Sequence, residues 1–138
     1  MPAFLLDVNV LVALAWPQHD AHDLVARWFA RARGWATCPF TETGLVRILA
    51  NPAFSPHALT AQDAHAVLER NIQLPGHEFW PADISFPEAL GLSRRPLLGH
   101  QKVTDLYLLG LAIHRSGKLA TLDQKLASGA HEGIELIQ

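Results

Sequence analysis

The chain has one cysteine, Cys38, among 138 residues, so no internal disulfide can hold it together. Small secreted domains lean on such bridges, and their absence points to a reducing compartment. Charge is scarce as well. Asp, Glu, Lys and Arg make up 17% of the residues, and 11 basic side chains face 13 acidic ones for a net charge of -2. A protein that grips nucleic acid by charge alone carries a basic surplus, so this balance argues against a passive nucleic-acid module. It does not argue against an enzyme that brings divalent cations into its site, because bound ions cancel the deficit locally.

Long apolar runs are also missing. Residues 3–16 are mostly apolar, but no basic residue precedes them and Asp7 and Asn9 interrupt them. That is neither a signal peptide nor a segment long enough to span a bilayer. It reads as a buried strand feeding a helix in a soluble, cytoplasmic protein with no membrane contact. Repeats and low-complexity tracts are absent. What is present is a core: 49% of the residues are hydrophobic, and the length suits one domain over residues 1–138.

Strand and helix patterns alternate along the chain. Phe4–Leu6 is a short apolar strand ending at Asp7, and Asn9 is placed to cap a helix over Val10–Ala15 that Pro17 stops. A helix over Ala21–Arg33 carries Leu24, Val25, Trp28 and Phe29 at helical spacing and ends at Gly34. Trp35–Phe40 holds a second strand, and Thr41 is placed to cap a helix over Glu42–Ala50. Further helices are expected from Thr60 to Gln73 and over Phe86–Leu92, with an edge strand at Glu78–Trp80 before Pro81. Ser93–Gln101 reads as a basic loop, and Thr104 as the cap of a helix over Asp105–Arg115. Lys118–Leu122 forms a strand ending at Asp123, followed by a short helix and a last strand at Ile134–Ile137. Such alternation implies an α/β fold with a parallel sheet covered on both faces. Ligands bind such sheets beyond the carboxyl ends of the strands.

Four acids fall at that edge. Asp7 and Asp123 end strands, while Glu42 and Asp105 lie in the first turns of helices. Each sits in apolar sequence, where a charge is costly to desolvate. Two carboxylates about 5 Å apart at an effective dielectric near 20 repel by roughly 3 kcal/mol. Four gathered together need protons or a cation, and an all-oxygen donor set selects Mg²⁺ or Mn²⁺ over zinc. Taken singly, each acid also suits a bland role as a helix cap or dipole partner. It is the placement of all four at one edge that points to a metal-assisted hydrolase of phosphodiesters.

The segments Leu-Leu-Asp7-Val-Asn9, Glu42-Thr-Gly-Leu-Val-Arg47, Gly99-His-Gln-Lys-Val-Thr104-Asp105 and Lys118-Leu-Ala-Thr121-Leu-Asp123 resemble the PIN-domain family, above all its VapC-type toxins. The resemblance runs in order from residue 4 to about residue 126. It implies an α/β/α sandwich with strand order 3-2-1-4-5 and Mg²⁺ or Mn²⁺ held by Asp7, Glu42, Asp105 and Asp123. It further implies endoribonuclease activity on RNA, a homodimer, and silencing by a VapB-type antitoxin. Residues 52–98 align least.

Around the acids, Asn9 either orients Asp7 or caps a helix, and Thr121 either bonds a carboxylate or is an ordinary strand threonine. Arg94, Arg95, His100 and Lys102 either guide phosphates or line a solvated loop. His19 and His22 read as surface residues, Cys38 as inert, and the four tryptophans as core or interface. Two rival functions stay open from the residues alone. One is an aspartate-based phosphoryl-transfer or phosphatase-like protein, although Asp7-Val-Asn9 lacks that class's second acid. The other is a catalytically silent interaction domain.

Overall fold

The computed structural model describes residues 3–54, 56–128 and 132–138. Five short strands make one sheet: β1 (Phe4–Leu6), β2 (Trp35–Thr37), β3 (His77–Phe79), β4 (Lys118–Thr121) and β5 (Ile134–Leu136). Their spatial order is β3-β2-β1-β4-β5 and every pairing is parallel. The order reverses at β1, the first strand laid down. In sheets of this kind ligands bind beyond the carboxyl ends of the strands at such a reversal.

Side chains alternate across the sheet and sort the core into two clusters. Leu5, Ala36 and Leu119 face one side, and Leu6, Trp35 and Ala120 the other. The first side is covered by α5 (Phe86–Ser93) and α6 (Val103–His114), the second by α1 (Val8–Ala15), α2 (His22–Arg31), α3 (Pro39–Leu49) and α4 (Ala61–Asn71). A last short helix, α7 (Gln124–Ala127), follows β4. The result is the expected three-layer α/β/α sandwich. Among the described residues no helix is long and apolar enough to cross a membrane.

Several helix starts differ from their expected positions, each for a local reason. Asp7, not Asn9, caps α1: its backbone is extended and its carboxylate accepts from the Val8 amide over 2.8 Å. Asn9 thus lies inside the first turn, with its amide available for something else. α3 begins at Pro39, whose missing N–H costs nothing at a first helical position. Cys38 is its cap residue, and Thr41 serves instead as the acceptor for the Cys38 amide at 3.0 Å. Thr104 caps nothing, because a single 3-10 turn over His100–Lys102 runs directly into α6. α2 ends at Arg31, short of Gly34, where Ala32 turns extended. Thr60 opens α4 as expected, its hydroxyl accepting from the Asp63 amide, and Asp123 caps α7 by accepting from the Lys125 and Leu126 amides, the cap role open to it alongside a place in the site.

Candidate active site

Asp7 stands at the carboxyl end of β1, 7% exposed, with a hydrogen bond on each carboxylate oxygen. Oδ1 accepts from the Val8 amide, and Oδ2 accepts the Thr121 hydroxyl proton over 2.8 Å. Asp7 and Thr121 are neighbours in the β1–β4 ladder, one step beyond the Leu6↔Ala120 pair, so their side chains share a face. The Thr121 hydroxyl oxygen also receives the Asp123 amide at 3.1 Å and the Asn9 side-chain amide at 3.4 Å. Asn9 closes the loop by accepting from the Leu122 amide at 3.3 Å. Asn9 and Thr121 therefore both belong to one network that fixes Asp7 against the turn leading to Asp123.

The electrostatics join three of the acids. Burial pushes the Asp7 carboxyl up to about 6, the Thr121 hydrogen bond opposes that, and the negative fields of Asp105 and Asp123 add to it. Asp105, in the first turn of α6, is likewise raised by burial and by Asp123, while the nearby Lys102 pulls it down. Glu42 sits apart from this trio. Its Oε2 accepts the Thr37 hydroxyl at 2.7 Å, and its field acts on Cys38 and His77. All four acids thus lie at the carboxyl edge, three mutually coupled and one held to the side of β2.

Whether a divalent ion suits this edge is a question of donor chemistry. Each carboxylate oxygen that accepts one hydrogen bond keeps a second lone pair. The donors are hard oxygens, which suit Mg²⁺ or Mn²⁺. A buried Asp whose ionisation is opposed by two other acids is the electrostatic signature of a place that favours added positive charge. Among the described residues no three Asp, Glu, His or Cys side chains are close enough together to hold an ion outright.

The basic loop divides. Arg95 donates to the carbonyls of Leu126 and Ser128, clasping the end of α7. Arg94 closes α5 in the left-handed conformation, φ 55°. His100 is exposed in the 3-10 turn, and the positive charge of Lys102 acts on Asp105. His19 Nδ1 accepts from the Ala21 amide within its own turn, and His22 Nδ1 pairs with the Ala13 carbonyl, tying the start of α2 to α1. Burial raises the Cys38 thiol, which keeps it protonated and unreactive. Trp28, Trp35 and Trp80 are core residues, and Trp16 packs edge-on against Phe54.

Two residues escaped the sequence reading: Thr37 and His77. The Thr37 hydroxyl lies 2.8 Å from His77 Nε2 as well as on Glu42. A signal existed, because Thr37 ends β2 as Thr121 ends β4, each at the carboxyl edge of the sheet.

The chain matches the PIN domain over residues 4–132. It is a PIN-domain protein of the VapC type. Its relatives include Ribonuclease VapC39 of Mycobacterium tuberculosis, 42% identical over 132 residues, covering 94% of this chain and 95% of the relative. Ribonuclease VapC38 of the same organism is 43% identical over 122 residues, covering 86% and 84%. Among solved structures, VapBC2 from Rickettsia felis, bound to a DNA fragment from their promoter, aligns with a TM-score of 0.66 over 99% of both chains. At 15% identity that likeness speaks for the PIN fold alone.

Proposed function

We propose that this PIN-domain chain is an endoribonuclease that hydrolyses RNA with Mg²⁺ or Mn²⁺, and that it is the toxin of a VapBC-type pair. The observation that carries the proposal is the Asp7–Thr121–Asn9 network, which fixes a buried carboxylate beside Asp105 and Asp123. The relatives' names, Ribonuclease VapC39 and Ribonuclease VapC38, support the substrate class. In this reading the protein works in the cytoplasm as a homodimer and is silenced by a VapB-type antitoxin.

Asp7, Asp105 and Asp123 would hold the ion, with Glu42 completing or orienting its surroundings. A divalent ion there supplies charge that acidifies water and stabilises the phosphorane-like transition state. The chain's own parts do the rest. Thr121 and the Val8 amide hold Asp7 in one rotamer, and the helix amides of Lys125 and Leu126 do so for Asp123. Preorganised carboxylates need no rearrangement as charge develops. Lys102, beside Asp105, would meet a substrate phosphate. In-line attack by water breaks the P–O3′ bond, leaving 5′-phosphate and 3′-hydroxyl ends.

The test is cleavage-site mapping on total RNA with Mg²⁺ or Mn²⁺ and with excess chelator. Asp7→Asn should lose at least about a hundredfold in kcat, the order expected for a preorganised charge in the site. Undiminished cleavage by that variant, or by the parent protein in chelator, would overturn the proposal.

A further inference from the structure

Glu42 is anchored from the β3 side of the sheet, away from Asp7. The Thr37 hydroxyl lies 2.7 Å from Glu42 Oε2 and 2.8 Å from His77 Nε2. A hydroxyl has one proton, and an ionised carboxylate can only accept. The Thr37 proton therefore goes to Glu42, and the ring nitrogen facing the hydroxyl oxygen is an Nε2–H donor. That donor exists on the neutral Nε2–H tautomer and on the imidazolium alike, so the relay from His77 through Thr37 to Glu42 keeps one direction.

Both upstream members are immobilised. Thr37 is fully buried at the end of β2. The His77 ring lies 4.7 Å from that of Trp35, whose own indole N–H is fixed on the Pro75 carbonyl at 3.1 Å. The backbone ladder already pairs β3 with β2 through Trp35↔His77, Ala36↔Glu78 and Thr37↔Phe79, so the side-chain relay is not needed to set the register. What it does set is the rotamer of a half-buried glutamate in the first turn of α3. A free Glu side chain loses up to about 2 kcal/mol of rotamer freedom on being ordered.

We infer that His77 is a positioning residue for Glu42, holding that carboxylate at the rim of the acidic cluster through the buried Thr37 hydroxyl. This rests on the nuclease reading of the cluster, in which Glu42 completes or orients the ion's surroundings. His77 touches neither substrate nor ion, and its effect passes wholly through Glu42.

The experiment compares the parent chain with His77→Ala, His77→Gln, Glu42→Gln and the His77→Ala/Glu42→Gln pair. Cleavage kinetics with Mn²⁺, Mn²⁺ affinity by calorimetry and thermal midpoints are measured on each. Loss of an outer partner of a ligand typically costs 10–100-fold in affinity or activity, so His77→Ala should lower kcat about tenfold and weaken Mn²⁺ comparably. KM should stay within about twofold, as for an interaction that acts on the chemical step. His77→Gln, whose amide can still donate to Thr37, should recover most of the loss. In the Glu42→Gln background His77→Ala should add nothing. A His77→Ala protein that cleaves and binds Mn²⁺ like the parent overturns the inference. So does one that loses the same factor with Glu42 already replaced, or whose loss follows a lowered midpoint. A parent chain inert with Mn²⁺ sinks the nuclease reading and this inference together, whereas an active parent with an unaffected His77→Ala sinks the inference alone.

Discussion

Thr121 donates its hydroxyl to Asp7 across 2.8 Å, although 114 positions separate them in the chain. The same oxygen receives the Asp123 amide and the Asn9 side chain, so one threonine ties the ends of β1 and β4 into a single rim. A hydrogen bond to the ionised form opposes the burial that keeps Asp7 protonated. The balance leaves this carboxyl titrating at about 6, where a cation can displace its proton.

Replacing Asp7 by Asn should stabilise the metal-free protein at pH 8. The folded carboxyl titrates at about 6 against an ordinary 3.8, so between these values the folded state holds more protons than the unfolded one. Stability therefore falls as pH rises through that window, by about 3 kcal/mol for a shift of roughly two units, an order-of-magnitude figure. Asn removes the charge and keeps an acceptor. In chelator its thermal midpoint should exceed the parent's by several degrees at pH 8, with the gain gone near pH 4. An equal deficit at both pH values would contradict the assignment.

Added Mn²⁺ should raise the thermal midpoint little at pH 5 and strongly at pH 7.5, because Asp7 must lose its proton to coordinate. Thr121→Val removes the hydrogen bond that favours the charged form, so its Mn²⁺ response should shift to higher pH. Titration calorimetry across pH 5–8 measures both. Identical pH dependence in the two proteins would mean that Thr121 has no hold on Asp7.

Arg95→Ala and Lys102→Ala should separate. Arg95 holds backbone carbonyls behind Asp123, so its loss should lower the thermal midpoint and leave KM for RNA near the parent value. Lys102 lies beside Asp105 on a half-buried stem, so its loss should raise KM and flatten the salt dependence while the midpoint holds. Swapped phenotypes would reverse these assignments.

Gly110→Ala should be severely destabilising. A Cβ at Gly110 would drive into the backbone carbonyl of Ala89, where α6 crosses α5. Backbone cannot rotate away, so overpacking of about 1–3 kcal/mol is a lower bound. Urea unfolding of the variant gives the value. A midpoint equal to the parent's would mean that the two helices are not in such close contact.

The sequence carried much of this. Alternating apolar strands and amphipathic helices, punctuated by Pro17 and Gly34, put the elements within a few residues of their observed bounds. Helix starts were the weak point. Asn9, Thr41 and Thr104 all have cap chemistry, but a cap needs extended backbone at that residue, and Asp7 and Cys38 hold that conformation instead. The ambiguous pair, Asn9 and Thr121, could not be resolved from spacing, since their partners come from the opposite end of the chain.

By itself the sequence determined that acids would end β1 and β4 and open α3 and α6, because strand period, helix period and turn residues are local properties of the chain. Only the tertiary structure decided which groups those acids meet. Parallel pairing of β1 with β4 set Thr121 on Asp7, β2 beside β3 set His77 behind Thr37, and the fold of the basic loop turned Arg95 away to α7. Hydrogen bonds between distant residues depend on register to a fraction of a strand step, and register is a property of the assembled sheet.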